Sequence, residues 1–307
     1  MANSWKKILR AWFSLSRLPF HSVGVLPFVL GTALAWDFTS SFNTPVFILG
    51  VSALILIMLS TYHAGEFSDI NEDEISRRIH QNKFAGGSGV IQQGLLPRRA
   101  ALWTSIASFI LAGCIGIVLQ FHFKTGPLTI PLGAVGAFAG LFYSLRPVRL
   151  VGRGCGELFI GFCYGWLTIA SAYYIQTATI HPLIHLLAVP VGLSIFNVIL
   201  LNEFPDYDAD MATGKRNLLN RVGKNTGSVI YVLLALMTNA SMFASVFFGV
   251  PSAAIYFYLP FSAVSLFIIF AVLRGRHEEP KAMELLCGLN IAVNLGTSLS
   301  FTLAYIS

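Results

Sequence analysis

The chain has 307 residues, 55% of them hydrophobic and 11% charged, with a mean hydropathy of +0.70. Soluble globular chains carry about 25% charged residues, so this composition excludes a water-soluble fold. Twenty basic against fourteen acidic side chains leave a formal charge of +6, which by itself suits nucleic acid, a membrane surface or an anionic substrate until the charges are placed.

Residues 1–18 come first. Trp5, Ile8, Leu9, Trp12 and Phe13 recur at helical spacing with Lys6, Lys7 and Arg10 on the other face. That pattern reads as a short amphipathic helix lying in a membrane interface; the plainer alternative is a disordered basic tail. The apolar segment that follows is too long for a cleaved signal peptide and lacks a cleavage site. From there, stretches long enough to cross a bilayer, about 20 residues each, recur to the end. They cover 19–38, 46–66, 100–120, 127–145, 156–177, 182–203, 228–248, 252–273 and 283–306. Internal Gly and Pro are tolerated in such spans, and the alternating ten-residue segments of barrel strands are not seen. No linker or soluble domain interrupts the series. The expectation is an all-α, polytopic membrane protein of about nine transmembrane helices, one domain over 1–307. The cysteines Cys114, Cys155, Cys163 and Cys287 are scattered and form no CxxC, so neither a disulfide framework nor a zinc site is expected.

On nine spans, nineteen of the twenty basic residues fall on one side and only Lys124 on the other. The positive-inside rule makes that side, with the amino terminus, cytoplasmic. Nine of the fourteen acids fall on the same side in two clusters. Glu66, Asp69, Glu72, Asp73 and Glu74 end the second span; Glu203, Asp206, Asp208 and Asp210 end the sixth. If the helices run on past the membrane boundary, Glu66, Asp69 and Asp73 share one face, and Asn202, Asp206 and Asp210 share another unless Pro205 kinks it.

Clustered carboxylates near a low-dielectric core repel unless a cation compensates. Hard oxygen ligands on two facing helices suit Mg²⁺, which bridges a few carboxylates to substrate phosphates. Arg77, Arg78 and Lys83 follow the first cluster, and Lys215 and Arg216 the second. Carboxylate, metal, then Lys or Arg is the arrangement that holds a diphosphate and stabilises it as a leaving group. The alternative is solvated helix ends with ordinary ion pairs. The charge placement thus favours a metal diphosphate at a cavity on the cytoplasmic side, and no nucleic acid.

These residues resemble the UbiA superfamily of intramembrane aromatic prenyltransferases, whose aspartate-rich motifs read approximately NDxxDxxxD and NxxxDxxxD. Here they stand as Gly65-Glu66-Phe67-Ser68-Asp69-Ile70-Asn71-Glu72-Asp73 and Asn202-Glu203-Phe204-Pro205-Asp206-Tyr207-Asp208-Ala209-Asp210, the second continuing to Gly214-Lys215-Arg216-Asn217-Leu218. The first departs from the pattern, with Gly65 where Asn is usual and Glu66 where Asp is usual. Three further segments are similar to the 1,4-dihydroxy-2-naphthoate prenyltransferases of menaquinone biosynthesis: residues 17–35, residues 84–94 (FAGGSGVIQQG), and 143–165 with its Gly152-Arg153-Gly154-Cys155-Gly156-Glu157 run.

What the resemblance implies is Mg²⁺-dependent transfer of a polyprenyl group from its diphosphate to an aromatic acceptor, in a multi-pass protein of a prokaryotic inner membrane. It implies catalytic Asp69, Asp73, Asp206, Asp210 and Lys215, and a metal held by Asp69, Asp73, Asp206 and Asp210 with Glu66 and Asn202. Arg77, Lys83 and Arg216 would contact the diphosphate, and Tyr143, Arg146 and Arg149 the acceptor. Arg146, Arg149 and Arg153 either orient an acceptor carboxylate or simply obey the positive-inside rule. Glu157, an acid inside an apolar region, is a functional candidate or an acid favoured by a helix amino terminus. Other acceptors stay open: hydroxybenzoate, another quinone precursor, haem or a glycerol-phosphate lipid. A secondary transporter is the rival of another class, but transporters place coupling residues near the bilayer midplane.

Overall fold

The computed structural model describes residues 2–79 and 86–307, and among these every regular element is helical. In chain order they are α1 (Ala2–Leu15), α2 (Ser22–Thr39), α3 (Thr44–Ser68), α4 (Ile70–Ile79), α5 (Arg98–Ile117), α6 (Thr129–Ser144), α7 (Gly156–Phe162), α8 (Thr168–Thr177), α9 (Leu183–Ala212), α10 (Leu218–Val222), α11 (Lys224–Ser245), α12 (Ala253–Leu273) and α13 (Pro280–Ile306). A widened turn at 163–167 joins α7 to α8 into one apolar rod, Gly156–Thr177. Among the described residues eight helical segments are long and apolar enough to cross a membrane, and α6, with 16 residues, is the shorter ninth. All nine expected spans therefore exist as apolar helices. At 1.5 Å per residue α6 is about 24 Å long, short of a 30 Å hydrocarbon core.

Apolar residues make these helices because backbone groups in lipid find partners only within the helix itself. Large side chains remain exposed along them, including Trp103, Phe138, Tyr256, Phe267 and Phe270, which suits a surface facing lipid. The interior is joined by two means. Small residues allow close approach: a Cβ on Gly165 would lie 2.7 Å from Gly192 Cα, so the α7–α8 rod rests directly on α9. Polar side chains bridge helices elsewhere. Tyr231 donates to Asn290 at 3.0 Å, Asn294 to Ser194 at 2.8 Å, and Asn239 to Ser265 at 2.9 Å while accepting from Ser262 at 2.7 Å.

The amino-terminal segment is helical, as the spacing of its apolar residues predicts. Trp5, Ile8, Leu9 and Phe13 are exposed, whereas Ala11 and Leu15 pack on Val90, Leu96 and Ala101. The chain then turns at Arg17, whose φ of 47° ends one helix direction and starts the next. Trp12 differs from the expectation: it turns inward against His63 instead of sharing the outer face.

Candidate active site

The first acidic cluster is not one continuous helical face. α3 ends at Ser68, Asp69 leaves helical geometry (φ −99°, ψ 26°), and α4 restarts at Ile70. The Asp73 N–H reaches the Asp69 carbonyl at 2.9 Å, so the break is hinged on the motif itself. The second cluster behaves oppositely. α9 runs without interruption through Pro205 to Ala212, so Asn202, Asp206 and Asp210 do lie along one helix. α4 packs against α9 and brings the two clusters together at one end of the bundle.

Each carboxylate then has a distinct partner. Glu66, 2% exposed, accepts from Arg17 Nη2 at 3.2 Å, and from the Ser88 N–H and hydroxyl at 2.7 Å each. Asp69 accepts from Arg149 Nη2 at 3.2 Å, and the same guanidinium bonds Glu72. Asp206 accepts from the Ser76 hydroxyl and, at 3.2 Å, from the Gly86 N–H. Asp210 accepts from Lys215 Nζ at 3.2 Å and Asn217 Nδ2 at 2.9 Å. Asp208 turns away to Lys224, 3.5 Å off at the surface.

The residue 86–89 loop threads between the clusters. A Cβ on Gly87 would collide with the Asp73 carboxylate, and its φ of 64° is itself a glycine conformation. The glycines of the FAGGSGVIQQG segment thus let the backbone approach the acids closely enough to donate N–H groups.

Electrostatics follow from burial. Burial raises the Asp69 carboxyl above its ordinary range despite Lys215 and Arg149, and pushes Asp73 up to about 8. For Lys215 burial works against the charged form, but Asp210, Asp69 and Asp206 outweigh it and hold its pKa above the usual lysine value. Lys215, bonded to Asp210, is therefore a cation held also by the charges of Asp69 and Asp206 from both segments.

Other candidate residues are placed as follows. Arg77 packs on Gly89 at the edge of the loop. Arg146 and Arg216 are exposed, and Arg153 folds back onto the carbonyls of Val148 and Pro147. Lys83 lies outside the described residues. His63 is structural, held between Thr104 at 2.7 Å and Ser16 at 3.3 Å. Tyr143, at the end of α6, packs its ring on Gly156 and lines an apolar cavity of about 250 Å³. The cavity is enclosed by α2, α3, α5, α6, α7 and α8, with Phe28, Met58, Phe109, Phe138 and Tyr164 on its walls. Along α6 it reaches from Thr129 to Tyr143, about 21 Å of helix.

Sequence reasoning missed Arg17, Ser76, Ser88 and Asn217. Arg17 and Ser88 lie in segments that carried the resemblance, and Asn217 lies in the run after the second motif, but nothing in their spacing pairs them with particular acids.

The donors present fit Mg²⁺. Among the described residues no three His, Cys, Asp or Glu side chains are gathered as a ready-made metal cage, and Mg²⁺ shared with a phosphate substrate requires only one or two carboxylates. The Asn202 Oδ1 atom is buried and has no hydrogen-bond partner among the described residues, an open oxygen on the same helix as Asp206 and Asp210.

Comparison with known proteins gives three results. The model of the UbiA prenyltransferase family matches residues 24–293. A 2-carboxy-1,4-naphthoquinone phytyltransferase of Synechocystis sp. is 26% identical, over 73% of this chain and 70% of that one; a 1,4-dihydroxy-2-naphthoate octaprenyltransferase of Escherichia coli is 25% identical, over 70% and 69%. A solved UbiA homologue from Archaeoglobus fulgidus bound to DMAPP and Mg²⁺ superposes with a TM-score of 0.62 at 17% identity, covering 94% of this chain and 99% of that one.

Proposed function

The chain belongs to the UbiA prenyltransferase family, and from that premise we propose that it transfers a polyprenyl group from its diphosphate to 1,4-dihydroxy-2-naphthoate, with Mg²⁺, at the cytoplasmic face of a prokaryotic inner membrane. The observation that carries the reading is the meeting of both acidic segments near Lys215, beside Tyr143 on the wall of an apolar, aromatic-lined cavity. The relatives named for naphthoate substrates support the choice of acceptor. The charge placement supports the orientation, and the exposed apolar residues of α1 support its lying in the interface as part of a single membrane domain.

Asp69, Asp73, Asp206, Asp210 and Asn202 would hold Mg²⁺, which supplies charge neutralisation on the diphosphate. Glu66 stands further from that role, because Arg17 and Ser88 occupy its oxygens. As the bond from the prenyl carbon to the diphosphate oxygen breaks, negative charge grows on the leaving group. Lys215 is already charged and fixed there, and a preorganised cation favours the transition state over the ground state. Arg149 bonds Asp69 and Glu72 and would thereby position the first segment. The allylic cation left behind faces Tyr143, Tyr164, Phe138 and Phe109, whose ring faces stabilise positive charge while the cavity excludes water. The acceptor ring carbon then forms the new carbon–carbon bond and its carboxylate leaves as CO₂.

The test is an assay of purified protein with a polyprenyl diphosphate, Mg²⁺ and a panel of acceptors, following product and CO₂. Dihydroxynaphthoate-dependent CO₂ release coupled to prenylation is the expected result. Prenylation of hydroxybenzoate or a glycerol-phosphate lipid alone would refute the acceptor, and no transfer to any acceptor would refute the reading altogether.

A further inference from the structure

Glu203 stands on α9 one helical turn inside Asp206, on the membrane side of the diphosphate site. Its side chain is 7% exposed, and among the described residues its carboxyl oxygens have no partner other than the carboxyl group of Glu157, which lies within hydrogen-bond reach. Glu157, at the start of α7 and 1% exposed, is its immediate electrostatic neighbour. Glu157 accepts from the Leu218 N–H at 2.9 Å, and among the described residues its Oε2 has no partner apart from the Glu203 carboxyl. Tyr143 lies beside both carboxyl groups and also forms the wall of the apolar cavity. One proton shared between the two carboxyl groups leaves a Glu203 oxygen buried without a donor, beside the Tyr143 wall of the cavity.

Buried polar groups are almost always paired, and an open acceptor marks the place of a missing donor. That donor is not the diphosphate, whose oxygens are acceptors. A hydroxyl donates one hydrogen bond and carries no charge, which is what a pair of neighbouring carboxyl groups accepts best. The level of Glu203 is also suitable. An aromatic ring bonded there lies a turn deeper than the diphosphate, beside the prenyl carbon that must leave it.

Resting on the transferase reading above, we propose that Glu203, held against Glu157, accepts a hydrogen bond from a ring hydroxyl of the aromatic acceptor and thereby selects hydroxylated arenes and sets the ring for attack. Glu157 is the positioning residue of the pair. Its bond to the Leu218 N–H ties the 152–157 segment to the loop that carries Lys215.

The test is steady-state kinetics of the full chain in detergent with geranylgeranyl diphosphate, Mg²⁺ and 1,4-dihydroxy-2-naphthoate. Glu203→Ala should raise the acceptor KM by about tenfold or more, as removing a dedicated hydroxyl acceptor does, while the KM for the diphosphate stays within about twofold. Glu203→Gln keeps the side-chain volume and controls for folding; it should show the same selectivity with a smaller shift. A naphthoate whose ring hydroxyls are methylated should bind wild type as weakly as Glu203→Ala binds the parent, with no further loss in the variant. Both KM values rising together, or the methylated compound being penalised by the substitution as much as the parent, would overturn the proposal. Equilibrium binding of the naphthoate without diphosphate separates the two readings. Glu203-dependent binding with no transfer sinks the transferase reading alone. Transfer with an unaltered acceptor KM in both variants sinks this inference alone.

Discussion

The two acidic segments meet at one end of the bundle but are held by contrasting means. The second lies on an unbroken helix, and its deepest contacts are made by residues that follow at once: Lys215 and Asn217 are five and seven positions beyond Asp210. The first is broken at Asp69 and held from a distance. Its partners are Arg17, 49 positions before Glu66, Ser88, 22 positions after it, and Arg149, 80 positions beyond Asp69. The second segment is a local device that carries its own cation, whereas the first exists only when the α1–α2 turn, the glycine loop and the segment after α6 have all been assembled. Damage to the second should therefore be chemical, and damage to the first graded and partly structural.

The largest effect is expected from the second segment. Asp206→Asn and Asp210→Asn, which keep shape and remove charge, should each lower kcat/KM by about 10²–10³ with unchanged thermal unfolding; loss below tenfold in both would break the contrast. Removing one cation from each segment sharpens it. Lys215→Ala should cost on the order of 10² in kcat, because a transition-state contact is lost, and Arg149→Ala about tenfold, chiefly in the KM for the diphosphate, because alignment is lost. Equal losses in both variants would mean that the segments are equivalent. Arg17→Ala leaves buried Glu66 with Ser88 alone and should destabilise by about 1–3 kcal/mol, seen as a lower Tm, while kcat of the folded fraction stays near wild type.

The pH dependence separates the segments next. With its carboxyl pushed up to about 8 by burial, Asp73 holds a proton at neutral pH in the metal-free protein and must release it to take up Mg²⁺. Apparent Mg²⁺ affinity should therefore rise with pH by up to about tenfold per unit until about pH 8 and then level off. The sign for stability is opposite: that proton favours the metal-free fold at low pH, and the contribution is lost as pH rises through about 8. A flat Mg²⁺ requirement between pH 6.5 and 9, measured from activity titrations, would place the controlling carboxylate elsewhere. The smallest effect is expected from Gly65→Asn. An added Cβ meets only Ser144 Oγ, at 3.5 Å, so the protein should fold normally and its half-saturating Mg²⁺ should move by only about two- to threefold, an ordinary effect for a side chain with room around it.

Much of the molecule was readable from the chain itself. Long apolar runs become helices regardless of neighbours, because lipid leaves the backbone no other partner, and all nine stretches did so. The second motif was legible in full, since helix periodicity alone lines up Asn202, Asp206 and Asp210. The same logic misled at the first motif, where Glu66, Asp69 and Asp73 have helical spacing but the helix stops at Asp69. It also left Arg149 open between acceptor contact and simple topology; the structure adds that its guanidinium pairs with Asp69 and Glu72.

What the sequence by itself determined was everything governed by local periodicity and by transfer into lipid: helix class, the apolar stretches, the side on which charge collects, and the residue types of the two acidic segments. What only the tertiary structure decided was which charge answers which. Arg17 belongs to Glu66, Arg149 to Asp69, the Gly86 N–H to Asp206, and among the described residues Glu203 meets only another carboxyl group, Glu157. Such pairings join residues 49, 80 and 120 positions apart. They depend on how helices pack and where loops cross, and in a low-dielectric setting it is those few ångströms that decide whether a buried carboxylate is a structural anchor, a cation site or a place for a ligand.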